Sequence, residues 1–523
     1  MLGPMLRAAT TILAWTAALV LLLALYEVLR ALAIRGFQGR LRRSVDRAIR
    51  EKGVRLDRFK FTQKFLIRDE IVNDVEVNEA ILDRAAATSR RVDDVREEVE
   101  GYIDEIVPVF SLVSYYQLGA QIARIFMNWL YEVVVPPHGD NRGKPVAPGA
   151  AVVYVANHRS NADYVAIAYT LIDEISLSYA TGEWARVWPL ESLFKSFGAY
   201  FVRRGFPDPL YHLVLEKYVQ LITRHGVTQG IFLEGGLSRD GRLRPPKIGI
   251  LDSLLKMKAD PSMTRDLLFV PVGINYDRVL EDEVLLRESE AGVERSGFRA
   301  HLRGLLRVVI GAPWMLVQNL WRRLRGYRRR YGYAGVSFGE PVSTDAWLRT
   351  QPEELFTLPR EERRKRVKQF ADLLMERIAG VIPVTPVPLV ARLLVDGPEA
   401  PADRTDLLQA LVSARRRLLD AGAPVVMGED FAGARAGRAR LDSERDARMA
   451  NLVSFEETFL DIDEARETLR IALGILGRRG IIRLDGDRIT VDPAWRSLLK
   501  YYAHSVDHYF EPQAPAALRT GED

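Results

Sequence analysis

AVVYVANHRSNADY, residues 151–164, opens with six residues of strand character, Ala151 to Ala156, and runs straight into Asn157, His158, Arg159 and Ser160. A helix-like pattern follows from Ala162. Strand ends that feed helix starts are where open α/β sheets place their chemistry. His158 and Asp163 are five positions apart. On one continuous helix that spacing would turn the two side chains about 140° apart. With His158 in the loop and Asp163 in the first helical turn, the chain folds back and they can meet. That geometry suits an imidazole held in one tautomer by a carboxylate, the pair a general base requires. The spacing alone is a weak signal, and its weight comes from three more stretches further along the chain.

Downstream, short apolar runs alternate with helical segments. The expected strands are Ala151–Ala156, Ser176–Ala180, Gly198–Arg203, Gln229–Leu233, Leu267–Asn275 and Ala334–Phe338, with helices such as Pro209–Arg224 and Lys247–Lys258 between them. This alternation predicts an α/β fold, a central mixed β-sheet flanked by helices. Pro/Gly-rich residues 136–150 mark a boundary, so the sheet domain is expected over 140–345. Residues 36–139 are charged and helical in periodicity, with Val92, Val95, Val99, Ile103 and Ile106 on one face. Residues 346–395 form a helical and Pro-rich connector, where Pro383, Pro386 and Pro388 preclude a regular helix until Leu389. Residues 396–523 are expected to be mostly helical, with one short strand in RITVDPAW.

The ends and charges point to a membrane. Residues 8–26 are 19 residues without a charge, long enough to span a bilayer, and residues 1–35 are expected to be a membrane anchor. Arg30, Arg35, Arg40, Arg42, Arg43, Arg47 and Arg50 follow, against Arg7 before it, which puts the rest of the chain on the cytoplasmic face. A buried core helix and an anchor that dips in without crossing are the alternatives. Residues 299–330 carry nine Arg and no acid around an apolar middle with Trp314 and Trp321. They fit a segment lying on anionic phospholipid, each Arg adding about 1 kcal/mol of attraction. The alternatives are a buried helix with solvated ends and nucleic-acid binding, for which no recognition motif is present. The net charge is +5 and there is no Cys, which excludes disulfides, thiolate nucleophiles and Cys-ligated metal. His138, His212, His225 and His301 are scattered, and His504 with His508 has no carboxylate-rich partner site, so metal is not implied.

Three further stretches join the first. GAYFVRR ends in Arg203 and Arg204, a pair suited to phosphate. FLEGGLSRDGRL carries Glu234, then Gly235 and Gly236, which let backbone N–H groups approach an anion, then Ser238, Arg239 and Arg242. FVPVGINYD is a strand with Pro271 near its centre, which suggests an edge or a bulge.

In this order NHRSNADY, GAYFVRR, FLEGGLSRDGR and VPVGINYD resemble the four blocks of membrane-bound glycerol-3-phosphate 1-O-acyltransferases and the related dihydroxyacetone-phosphate acyltransferases. VTPVPLVARLL and LLKYYAHSVDHYF resemble C-terminal parts of the same family, so the resemblance runs over about 150 to 510. It implies the glycerolipid acyltransferase fold. It also implies transfer of a fatty acyl group from acyl-CoA or acyl-carrier protein to the sn-1 hydroxyl of glycerol 3-phosphate, the first step of phospholipid synthesis, at the inner membrane and without a cofactor. Carried over by residue, it makes His158 the base and Asp163 its orienting partner. Arg204, with Arg203, Arg239 and Arg159, would hold the acceptor phosphate. Glu234, Gly235, Gly236, Ser238 and Ser160 shape the acceptor site, and Pro271 belongs to the fourth block. One departure stands out: Leu237 occupies a position where the family has Arg. The alternative readings are another acceptor (dihydroxyacetone phosphate, a lysophospholipid or another alcohol), and an inactive scaffold or acyl-carrier-protein binding relative.

Overall fold

A computed structural model describes residues 64–108, 120–137, 140–141, 149–171, 177–182, 199–203, 206–260, 263–290, 331–396, 402–426 and 450–510. The expected anchor over 1–35, the surface segment over 299–330 and Arg204 lie outside the described residues. Among the described residues no helix is long and apolar enough to cross a membrane.

The sheet is built from β1 (Glu132–Val134), β2 (Ala151–Ala156), β3 (Ser178–Gly182), β4 (Ala199–Val202), β5 (Gln229–Phe232), β6 (Leu267–Tyr276), β7 (Tyr333–Phe338) and β8 (Val342–Ser343). The order is β1-β7-β6-β2-β5-β3-β4, with β8 also on β6. β2, β5, β3, β4 and β6 are parallel, while β7 and β8 run antiparallel to β6. The fold is therefore mixed α/β with flanking helices. Its first edge strand comes from upstream of the Pro/Gly-rich stretch.

β2 and β6 are buried along their whole length, because both faces are covered. Val153, Ile231 and Phe269 pack into a core shared with the helices Val92–Ile106, Pro209–Arg224, Gly249–Lys256 and Arg360–Ala379. The Val92–Ile106 helix buries Val95, Val99, Ile103 and Ile106, as its period requires, and leaves Val92 exposed. Asp208 caps the Pro209–Arg224 helix by accepting the Leu210 N–H, with Pro209 in the first turn where its missing donor costs nothing. Further along β6 Asn275 donates its amide to the Pro383 carbonyl at 3.0 Å and to Ser505 Oγ at 3.2 Å, tying the sheet to the C-terminal region.

The bulge suggested by Pro271 is present, and another proline expectation is corrected. Pro271 lies in the sheet's interior, paired with Val155 on one side. On its other side β7 pairs from Val272 onward and β8 only at Leu268 and Phe269, so two residues of β6 face three between Phe338 and Val342. Pro271 thus faces the gap between two partner strands, and its carbonyl there accepts the Gly339 N–H at 2.8 Å, so no ladder donor is missed. The Pro-rich run, by contrast, begins its helix three residues early, at Pro386 (Pro386–Asp396). Pro386 and Pro388 fall in the first turn, whose N–H groups have no helical acceptor. The Val387 N–H goes instead to Asp277 Oδ1 at 2.8 Å. In the C-terminal region the expected strand, Arg488–Val491, is accompanied by two not anticipated, Ile482–Asp485 and Ala402–Asp403, which pair with it antiparallel.

Candidate active site

The carboxyl ends of β2, β5 and β6 come together where the connections diverge to opposite sides of β2, which is where open sheets bind ligands. β2 delivers Asn157, whose side chain accepts the Ile274 N–H at 2.8 Å and donates to the Ile274 carbonyl at 2.9 Å, pinning the loop to β6. The next helix, Asp163–Leu171, starts at the carboxylate. Asp163 Oδ2 receives His158 Nδ1 at 2.9 Å, the Arg159 N–H at 2.6 Å and the Ser160 N–H at 3.0 Å. Tyr276, from the end of β6, donates its hydroxyl to Asp163 Oδ1 at 2.7 Å. His158 and Asp163 are 1% and 0% exposed, so this pair works in a low-dielectric setting. Because Asp163 meets His158 as an acceptor, the ring proton sits on Nδ1 and the lone pair on Nε2. The imidazole stacks on Phe232 with centroids 4.1 Å apart, and Tyr164 packs edge-on at 5.6 Å.

Glu234, at the end of β5, spans the two loops. Its Oε1 accepts the His158 N–H at 2.8 Å and its Oε2 the Arg244 N–H at 2.9 Å. Burial pushes this carboxyl up to about 7 against the pull of those two N–H groups. Glu281 does the same for the other side of the His158 loop, accepting Ser160 Oγ at 2.7 Å and the backbone and side-chain N–H of Asn161 at 3.3 and 3.2 Å. Desolvation, with the Asp163 charge nearby, raises it to about 7.

Of the expected residues, the structure brings His158, Arg159, Ser160, Asp163, Glu234, Ser238 and the two glycines into one cluster. Gly235 adopts φ +65°, which favours glycine, and Gly236 is buried beside it. Ser238 donates its N–H to the His158 carbonyl at 2.9 Å and its hydroxyl to the Arg242 carbonyl at 2.7 Å. Arg159 is buried, donating from Nη2 to the Gly241 carbonyl at 2.6 Å. At Gly241, with φ +87°, a Cβ would come within 1.9 Å of the Tyr501 carbonyl, so this loop sits directly on the Arg496–His504 helix. His504 Nδ1 bonds the Asp240 carbonyl at 2.8 Å, and Asp507 lies 3.2 Å from both Arg242 and Arg392. Arg239 approaches Glu288 at 3.8 Å.

Two residues are placed elsewhere. Arg203 Nε donates to Glu105 Oε1 at 2.7 Å, and Nη2 to the other oxygen of that carboxylate. The guanidinium lies 4.6 Å over the Phe206 ring. Pro271 stands inside the sheet, five residues short of Tyr276. Tyr276 and Glu281 were not singled out from sequence. Their signal was position: both close the strand that ends beside β2. Among the described residues no group of His, Asp and Glu is arranged to hold a metal ion.

Residues 139–275 match the family model for acyltransferases. Residues 317–436 match the model for the glycerol-3-phosphate acyltransferase C-terminal region. Both stretches are thus similar to acyltransferases. The relatives the chain resembles carry a specific name. A glycerol-3-phosphate acyltransferase of Aeromonas hydrophila is 30% identical over 372 residues, 69% of this chain and 43% of the relative. One of Pasteurella multocida is 29% identical over 347 residues, 64% and 40% of the respective chains. One of Actinobacillus pleuropneumoniae serotype 3 is 25% identical over 453 residues, 84% and 48%. The chain therefore spans less than half the length of these curated relatives. The crystal structure of the 1-acyl-sn-glycerophosphate (LPA) acyltransferase PlsC from Thermotoga maritima aligns with a TM-score of 0.27 and 17% identity, over 50% of this chain and 80% of that one.

Proposed function

We propose that the protein transfers a fatty acyl group from a thioester donor, acyl-CoA or acyl-carrier protein, to the sn-1 hydroxyl of glycerol 3-phosphate. The observation that carries this reading is the buried His158–Asp163 pair at 2.9 Å, with Nδ1 committed to the carboxylate. Nε2 takes the proton of the acceptor hydroxyl as the oxygen attacks the thioester carbonyl. The tetrahedral intermediate collapses, expelling the thiolate, which recovers a proton from the imidazolium. A thioester is already activated, so deprotonation and positioning suffice without a covalent enzyme intermediate, in keeping with a chain that has no Cys. Arg239 and Arg204 are assigned to the acceptor phosphate. Arg203 is committed to Glu105, Arg242 to Asp507 and Arg159 to Gly241. Where Leu237 replaces the family's Arg, Arg244 brings a guanidinium to the same loop, donating from Nη1 to the Leu237 carbonyl at 3.3 Å.

The reading also places the catalytic region on the cytoplasmic face of the inner membrane, held by residues 1–35 and 299–330 against phospholipid. A second acceptor reading, dihydroxyacetone phosphate, a lysophospholipid or a non-phosphorylated alcohol, is kept open by the same Leu237. Thiol release from palmitoyl-CoA, followed with each acceptor in turn, tests both. Release dependent on glycerol 3-phosphate and giving lysophosphatidic acid is expected. Release with dihydroxyacetone phosphate alone would change the acceptor, and no acceptor-dependent release would leave a scaffold.

A further inference from the structure

The loop that begins at Glu234 ends at Lys247, where it borders an open hollow of about 600 Å³ lined, among the described residues, by Lys247, Arg364, Lys365 and Lys368, with Glu361 the one carboxylate there. That volume is in the range of small-ligand sites, roughly 300–1,000 Å³. Its walls are held in place. The Lys247 N–H donates to the Leu233 carbonyl at 2.7 Å, and its stem lies so near Gly235 that a Cβ there would come within 2.8 Å of it. Arg363 reaches Asp252 at 3.4 Å, joining the Arg360–Ala379 helix to the Gly249–Lys256 helix, and Val367 and Phe370 are buried beneath. Glu362 and Asp372 pair with Lys365 and Lys368 along the helix without entering the lining.

Four cations gathered in one concavity repel each other, and a like-signed cleft concentrates its field on an incoming anion. Arg and Lys together suit phosphate oxygens. We propose that this hollow is an anion subsite for the phosphate groups of the acyl donor, in the form of coenzyme A. It shares the Glu234–Lys247 loop with the His158 cluster, so a donor anchored there hands its thioester to the neighbouring imidazole. The proposal rests on the acyltransferase reading.

Calorimetric titration of the full chain with coenzyme A, and with dephospho-coenzyme A lacking the 3′-phosphate, tests it without turnover. Arg364→Ala/Lys365→Ala is the variant, since Ala at these exposed positions keeps the helix. The expected result is affinity for coenzyme A about tenfold weaker in the variant, a smaller change for the dephospho form, and a matching rise in KM for palmitoyl-CoA with KM for the acceptor unmoved. Binding to vesicles containing phosphatidylglycerol keeps its wild-type strength. Undetectable coenzyme A binding by the wild type, or equal affinity in wild type and variant, overturns the subsite. So does loss of vesicle binding with coenzyme A binding kept, which would assign the cations to lipid headgroups. Coenzyme A binding that falls in the variant, in a chain that acylates no acceptor, would keep the subsite and refute the acyltransferase reading. Acyl transfer unaffected by the variant would do the reverse.

Discussion

Asp163 is the residue on which the local chemistry turns, because it gathers four donors from two separate places in the chain. Two of them are backbone N–H groups of its own loop, which no substitution of neighbouring side chains removes. The fourth, the Tyr276 hydroxyl, is removable with one atom. A hydrogen bond to a charged group contributes about 1.5–3 kcal/mol, and each 1.4 kcal/mol of barrier is about tenfold in rate. Tyr276→Phe is therefore expected to lower kcat about tenfold while leaving KM for the acceptor near its wild-type value. Without the hydroxyl, Asp163 presents more negative charge to His158 and favours the imidazolium, so the acid limb of the kcat/KM profile moves to higher pH. An unmoved limb would reduce Tyr276 to packing. The His158–Asp163 encounter was legible in the sequence, because both residues sit in one short loop whose strand and helix boundaries were plain. Tyr276 was not, since its partner lies 113 residues away.

At the scale of elements, the strands and the long helices were legible from their periodicity. The prolines at the start of the Pro386–Asp396 helix were misread for a single physical reason. Proline forbids a helix or a ladder only where its N–H would have been used, and the first helical turn at Pro386 spares it, as the gap between partner strands does at Pro271. The Glu105 partner of Arg203 was not legible, because a pair of arginines at a strand end reads the same whether or not a distant helix supplies a carboxylate. The element that depends most on its partner is the loop after β5, seated on the Arg496–His504 helix at Gly241. A side chain there meets the Tyr501 carbonyl in a left-handed conformation, which by itself costs about 1–3 kcal/mol. Gly241→Ala is expected to lower the denaturation midpoint measurably and to depress activity by loosening Arg159. A midpoint equal to wild type would show that the loop can lift off without loss.

For the whole molecule, the buried Glu234 and Asp277 and the half-buried Glu281 are acids pushed from ordinary values near 4 to about 7. Between those limits the folded chain holds protons that the unfolded chain has released, so these groups stabilise the fold at low pH and their contribution declines as pH rises toward 7. Glu281→Gln carries no titrating group, so its stability, followed by thermal unfolding from pH 5 to 8, should fall less steeply with pH than that of the wild type. Parallel curves would mean that Glu281 titrates normally. The overall α/β plan was legible because strand and helix periods repeat over long stretches. The seating of the C-terminal region against the sheet was not, because contacts such as Asn275 to Ser505 join residues with no local pattern in common. What gives that assembly its purpose is the imidazole at its centre. Thiol release from palmitoyl-CoA with glycerol 3-phosphate, compared between wild type and a His158→Ala variant that still binds coenzyme A, tests this most directly. Turnover lower by roughly 10²- to 10⁴-fold is expected for loss of a general base, and turnover near that of the wild type would contradict the account.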